Sequence, residues 1–191
     1  MESYSAISRR RFADPIVAND PLRVDWLPAE LTAPGRLGVT IAPGRLGLSA
    51  DRQVLHARNV DADYRALAAQ SVDLVVCLQE THEGAYVAEG ARSSCAVKVE
   101  RIALPIVDSG TPWIRRPLAR LIGTISAQLD GGRSVVIHCA GGLGRSGVVV
   151  GCWLRAQGVG TECAFALLHE LRGPRCPEND AQRAYIRSWV N

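Results

Sequence analysis

His138, Cys139, Arg145 and Ser146 bracket five residues, Ala140-Gly141-Gly142-Leu143-Gly144, directly after the apolar run Val135-Val136-Ile137. A cysteine placed there has reason to ionise, because loop N–H groups and a following helix N-terminus favour a thiolate. The same N–H groups form a nest for a phosphate-sized anion. Gly141, Gly142 and Gly144 let the backbone turn those groups inward with no Cβ in the way. Arg145 can fork two hydrogen bonds onto the anion; a lysine would keep the charge and lose the fork. Nucleophile, oxyanion cradle and cationic clamp thus fall within the seven residues Cys139–Arg145. That constellation predicts cysteine-dependent hydrolysis of phosphate esters, with Cys139 attacking phosphorus and Arg145 holding the oxygens through the transition state.

Such a reaction needs an acid for the leaving oxygen, and a carboxyl group on a loop would serve. In Leu104-Pro105-Ile106-Val107-Asp108-Ser109-Gly110-Thr111-Pro112, Asp108 follows an apolar strand-like end and sits between proline and glycine. One helix and one strand separate it from Cys139, enough chain to return to the same end of a sheet. Taken alone, an aspartate before a helix is a turn or cap residue. Arg115 and Arg116 follow and could steer an acidic phosphopeptide, with solvated helix charges as the plainer reading. His138 is not expected to be a general base, since a strand sends neighbouring side chains to opposite faces.

The pattern His138-Cys139, five residues, Arg145-Ser146 resembles the signature loop of the protein tyrosine/dual-specificity phosphatase superfamily. Its Ala-Gly-Gly-Leu-Gly filling is similar to that of the kinase-associated phosphatase (cyclin-dependent kinase inhibitor-like) branch, as is the string around Asp108. The resemblance implies a protein tyrosine phosphatase-like α/β domain, no cofactor, and a phosphorylated protein or peptide as substrate. It implies that Ala140 to Gly144 and Arg145 bind the phosphate and that the Ser146 hydroxyl helps the thiolate leave. His138 is implied to make a structural hydrogen bond that shapes the loop. The family carries Glu-Thr, two residues, then Gln; here Glu178-Asn179-Asp180-Ala181-Gln182 has Asn for Thr. Gln182 would position water for the second step, or else be an exposed polar helix residue. Some relatives protect the nucleophile through a disulfide to a neighbouring strand, which makes Cys77–Cys139 a candidate redox pair.

The elements that must position these residues follow from pattern. The chain has 191 residues and a net charge of +3, with 47% hydrophobic and 21% charged residues. That suits one globular core and suggests neither nucleic acid nor disorder. Residues 1–23 read as an irregular arm with Pro15 and Pro21, and 24–191 as the phosphatase domain. A hexapeptide, Ala-Pro-Gly-Arg-Leu-Gly, occurs twice (33–38 and 42–47) and reads as turn, strand over Val39-Thr40-Ile41, turn. Asn59 or Asp61 could cap a helix to about Gln70; Val72–Leu78 is a buried strand; a short helix is expected around Tyr86 and another strand over Lys98–Leu104. A helix capped by Thr111, with Pro112 in its first turn and Pro117 as a restart or kink, should end near Asp130. Ser134–His138 feeds the glycine loop, and helices follow over Ser146–Gln157, Glu162–Leu171 capped by Thr161, and Glu178–Val190. Alternating strands and helices give an α/β fold with a largely parallel central sheet, whose ligands bind where strands end.

Other readings are weaker. The six cysteines make no disulfide or zinc spacing, and most read as small buried hydrophobes; no metal is expected. Ser8-Arg9-Arg10-Arg11-Phe12 matches a twin-arginine pattern, but no hydrophobic segment follows and no run could span a bilayer, so the expected location is cytoplasmic without membrane association. Gly142-Leu143-Gly144-Arg145-Ser146-Gly147 is literally G-x-G-x-x-G, yet a dinucleotide domain would need further strands where only helices are read. A catalytically inactive phosphoprotein-binding module would not need Cys139, Arg145 and Asp108 together. A phosphoinositide or RNA 5′-phosphatase would favour extra cations in the loop, where Arg145 stands alone. Neither phosphotyrosine nor phosphothreonine is preferred by any motif.

Overall fold

Val135, Val136 and Ile137 have no solvent exposure because the strand they form lies in the middle of a sheet covered on both faces. The computed structural model describes residues 16–18, 20–48, 54–83 and 99–189. In chain order its elements are β1 (Ile16–Ala18), β2 (Asp25–Trp26), α1 (Ala29–Thr32), β3 (Arg36–Thr40), β4 (Leu46–Leu48), β5 (Val54–Ala57), α2 (Val60–Ala69), β6 (Leu74–Cys77), a 3-10 turn (Thr81–Glu83), β7 (Glu100–Ala103), α3 (Arg115–Asp130), β8 (Ser134–His138), α4 (Gly144–Ala156), α5 (Thr161–Arg172) and α6 (Asp180–Arg187). The central sheet has the order β2-β3-β8-β6-β7 and is parallel except for the β2 edge. A second sheet, β1-β5-β4, stands beside it.

Side-chain alternation on the central strands makes two cores. Leu37, Val39, Val76, Val135 and Ile137 pack with α3 and α4 residues such as Leu118, Ile125 and Val149. Val75 and Val136 face the other way, onto Tyr64 and Leu67 of α2 together with Leu22 and Val24. Helix α4 is buried from Gly144 through Leu154, apolar on all sides after Arg145 and Ser146 in its first turn, as a central helix is.

Several elements differ from the sequence reading. Ile16–Ala18, within the stretch read as irregular, pairs parallel with β5. The two hexapeptides share a Pro-Gly turn but not a fate: Arg36-Leu37-Gly38 opens central strand β3, whereas Leu46-Gly47 starts β4 at an exposed edge. Leu37 is fully buried and Leu46 is 61% exposed, so neighbours decide what the same string does. Helix α3 starts at Arg115 rather than at Thr111-Pro112, with Pro117 in its first turn, where a missing N–H costs no helical bond. Thr161 is the first residue of α5 and Gly160 its cap. Helix α6 begins two residues later than expected, capped by the Asn179 side chain. The helix expected around Tyr86 lies outside the described residues.

Asp63 of α2 is 3% exposed and holds the start of the second hexapeptide in place. It accepts from the Gly44 N–H (2.9 Å) and pairs with Arg58 through both oxygens. Removing one partner of a buried pair leaves the other charge uncompensated. Asp63→Ala should therefore lower stability by roughly 3 kcal/mol in urea unfolding; a loss within 0.5 kcal/mol of zero, about that of an ordinary surface substitution, would show that this pair does not hold the loop.

Candidate active site

The glycine loop leaves β8 at the carboxyl end of the parallel sheet, and its carbonyls are held from outside. Ala140 O accepts from the Ala42 N–H (3.1 Å) and Arg45 Nη1 (3.0 Å). Gly141 O and Gly142 O accept from Arg172 Nη2 (2.9 Å) and Nε (3.0 Å), while Arg172 Nη1 also pairs with Asp25. Leu143 O accepts from the Gly147 N–H (2.9 Å) and Cys176 Sγ (3.3 Å). A trans peptide points its N–H opposite to its C=O, so this outward anchoring turns the following amides toward the loop interior. Gly142 has φ +68°, and a Cβ there would stand 2.5 Å from Thr40 O. Glycine is required at that position on both counts.

Cys139 is 3% exposed and lines a cleft of about 320 Å³ with Arg145, Asp108, Glu178, Arg45 and Arg175. Arg145 is 1% exposed and is fixed end-on by Glu83, Nη1 to Oε1 at 2.5 Å and Nη2 to Oε2 at 2.8 Å. Nη1 also donates to Ile106 O at 3.0 Å, and Nη2 lies 2.8 Å from Asp108 Oδ1. The end-on pair leaves the lateral edge of the guanidinium, Nε and Nη2, as the fork for an oxyanion, with Asp108 standing on Nη2. Burial works against the Arg145 charge, but the Glu83 hydrogen bonds and the negative charges of Cys139, Glu83 and Asp108 outweigh it, and its pKa is raised. Burial likewise opposes the charge on Glu83, and the bonds from Arg145 and Glu80 prevail, holding its carboxyl below the usual range. Glu83 has no sequence signal in Gln79-Glu80-Thr81-His82-Glu83; only the loop after β6 brings it to Arg145.

Asp108 is exposed after β7, and α6 tethers its loop. Asn179 Nδ2 donates to Ser109 O (2.8 Å) while its Oδ1 accepts from the Gln182 N–H (2.9 Å). An amide can donate and accept at once, so asparagine both caps α6 and ties down the loop that carries Asp108. Gln182 is fully buried, not an exposed helix residue; its amide donates to Gly110 O (3.2 Å) and accepts from the Glu178 N–H (3.0 Å). The Glu178 carboxylate accepts from the Gly144 N–H, and its pKa is raised by burial and then by the charge of Asp108. Ser146 is fully buried with no hydrogen-bond partner for its hydroxyl.

His138 is fully buried, its Nδ1 3.2 Å from Cys139 O, and burial lowers its pKa to about 4. Cys77 stands opposite His138 in the β6–β8 register, one residue short of Cys139, and burial raises its thiol pKa. The described cysteines are all free thiols; Cys163 is exposed rather than buried, and Cys95 lies outside the described residues. Arg115, named as a possible steering charge, donates to Ser188 O and Oγ (2.9 and 2.6 Å) and stacks on the Tyr185 and Trp189 rings. Among the described residues no group of three or more His, Cys, Asp or Glu is placed to hold a metal, and no helix is long and apolar enough to cross a membrane.

A family model described as "Swiss Army Knife protein, DSP-PTPase phosphatase domain" matches residues 41–185, which contain this entire cleft. The chain belongs to the dual-specificity/protein tyrosine phosphatase family. Human cyclin-dependent kinase inhibitor 3 is 33% identical over 87 residues, 44% of this chain and 41% of that protein. The chain thus spans under half the length of that relative. The structure of kinase-associated phosphatase with its catalytic-site cysteine changed to serine superimposes with a TM-score of 0.76 at 24% identity, covering 88% of this chain and 94% of that one. The active form of the phosphatase Tk-PTP gives 0.61 at 27% identity, covering 81% and 91%. The phosphatase fold expected from the glycine loop is therefore the fold present.

The burial of His138 has a pH consequence. Its folded-state pKa of about 4 lies below the ordinary 6.5, so between those values the unfolded chain binds the extra proton. Stability contributed by the neutral ring is complete above pH 6.5 and is lost as pH falls toward 4, about 3 kcal/mol in all. Urea unfolding across that window should show a shallower pH slope for His138→Gln than for the wild type; equal slopes would place the titration elsewhere.

Proposed function

We propose that the chain hydrolyses phosphate monoesters on proteins, phosphotyrosine, phosphoserine or phosphothreonine, through a phosphocysteine intermediate. The observation that carries the reading is the convergence of Cys139, the lateral edge of Arg145 and the Asp108 carboxylate in one cleft over an outwardly anchored glycine loop. The phosphoryl group sits in the loop, its oxygens on the loop amides and on Nε and Nη2 of Arg145, taking the place of Asp108 on the guanidinium. The Cys139 sulfur attacks phosphorus in line and the P–O bond to the leaving group breaks. Asp108 gives its proton to that oxygen. Water then attacks the phosphocysteine and gives a proton to the Asp108 carboxylate; the S–P bond breaks, inorganic phosphate is released, and the thiolate departs with the Ser146 hydroxyl as its hydrogen-bond donor. Gln182 and Asn179 hold the acid loop over the cleft for both steps. The reaction as written calls on no metal and no cofactor. Cys77, beside His138 on the adjoining strand, is the candidate partner for a protective disulfide with Cys139.

Hydrolysis of para-nitrophenyl phosphate and of a phosphopeptide, with EDTA and reductant present, tests this reading. The wild type should turn over both, Cys139→Ser should abolish turnover, and Asp108→Asn should slow the phosphopeptide by roughly a hundredfold, the usual weight of a general acid. Its poorer leaving group makes the peptide the more sensitive of the two. A folded wild type that binds the phosphopeptide without hydrolysing it would instead make the cleft a phosphate-binding module.

A further inference from the structure

The segment that carries Asp108 from β7 to α3 also carries large apolar side chains that face water. Val107 is 52% exposed, Trp113 94% and Ile114 68%. Tryptophan is highly buried on average, so a ring left almost wholly in solvent asks for a reason. Loose structure does not supply one. The Gly110 N–H closes a turn onto Val107 O (2.9 Å), and Asn179 and Gln182 hold Ser109 O and Gly110 O. At the start of α3, Arg115 is fixed on Ser188 and on the Tyr185 and Trp189 rings. Trp113 and Ile114 thus stand between two anchored points, and the hydrolytic steps above give them no role.

Position and size say what covers them. Asp108 and Ser109 line the cleft, so the apolar strip continues its rim. Ile114 is six residues beyond Asp108, a length of chain that spans at most ~20 Å. An extended peptide with its phosphate at Cys139 covers the same span in about six residues. The three side chains together expose less than the roughly 800 Å² per partner that a stable dimer buries, which suits a short segment rather than a second copy. Charges of both signs flank the strip, the exposed Asp108 on the cleft side and the exposed Arg116 and Arg120 on α3. An apolar centre with a polar rim is the anatomy of a contact with polypeptide. An anionic lipid surface would be repelled by Asp108.

We propose that Trp113 and Ile114 form a docking strip for the substrate polypeptide, taking apolar side chains that lie within about six positions of the phosphorylated residue. This inference rests on the phosphatase reading of the cleft. The strip touches no reacting atom, so it acts on the binding of protein substrates and leaves the chemical step alone. A small phosphate ester, which ends at the mouth of the cleft, does not reach it.

Steady-state kinetics of the full chain are compared on para-nitrophenyl phosphate and on a set of phosphopeptides. The host peptide is built from glycine, serine and asparagine; the others carry a leucine pair near to or farther from the phosphorylated residue, on either side. Each is made with phosphotyrosine and with phosphothreonine. At least one leucine-bearing peptide should show a KM about tenfold below the host, the weight of one aromatic anchor, with kcat unchanged. Trp113→Ser and Ile114→Ser should each erase most of that advantage, Trp113→Phe should keep it, and none should alter turnover of para-nitrophenyl phosphate by more than about twofold. These side chains are exposed, so their loss leaves the fold intact. Equal KM values across the set, or a preference that survives both serine substitutions, would overturn the strip. So would binding to phosphatidylcholine–phosphatidylserine vesicles, or self-association in ultracentrifugation, that Trp113→Ser abolishes while no peptide is preferred. Turnover of para-nitrophenyl phosphate without peptide preference leaves the phosphatase reading standing and removes the strip alone. A folded wild type that turns over none of these substrates would sink both.

Discussion

The carbonyls from Ala140 to Leu143 are held by groups outside the loop, and the rest of the site depends on that anchoring. A peptide plane has two polar ends; fixing the oxygen end outward leaves the N–H end facing in. The cradle is then preorganised before any ligand arrives, which is the condition under which fixed dipoles stabilise a transition state without reorganising. The anchors are remote in sequence. Arg45 follows β3, Arg172 ends α5, and Cys176 lies beyond it. Arg172 also ties the loop to the β2 edge through Asp25, so the cradle is braced against the sheet as well as against the helices.

Parallel topology explains why four loops meet at the cleft. Strands β3, β6, β7 and β8 run in one direction, so the segments that follow them emerge at one edge of the sheet. They deliver Arg45, Glu83, Asp108 and Cys139 respectively. Charge alternates across this edge. Glu83 and Asp108 stand on either side of the buried Arg145 guanidinium, and Glu178 sits on the loop amide of Gly144. Burial costs the Arg145 guanidinium its hydration, and the two-point pair with Glu83, with Asp108 on Nη2, offsets that cost and holds the charge in the cleft beside Cys139.

Much of the fold was legible in the sequence because it rests on local pattern. The largely apolar runs Val72–Leu78 and Ser134–His138 read as buried strands, and the Cys139–Arg145 loop is recognisable from residue type and spacing. Places where local signals were ambiguous went differently. Pro112 and Pro117 both suit a first helical turn, and packing of Leu118 and Leu121 onto the sheet selected the later start. Asn179 was a departure from the family pattern in sequence, and in three dimensions it is the residue that caps α6 and holds Ser109.

By itself, then, the sequence determined the glycine loop after β8 and the alternation of strands with flanking helices, and pointed to Cys139 and Asp108 as candidate nucleophile and acid, since each is written in contiguous residues. Only the tertiary structure decided what surrounds that loop. It chose Glu83 as the partner of Arg145, buried Gln182 as a tether, and separated two identical hexapeptides so that Arg36 stacks on a tryptophan while Arg45 reaches the cleft. Contacts between segments dozens of residues apart leave no periodicity or spacing in the chain, because what joins them is the common direction of the strands they follow.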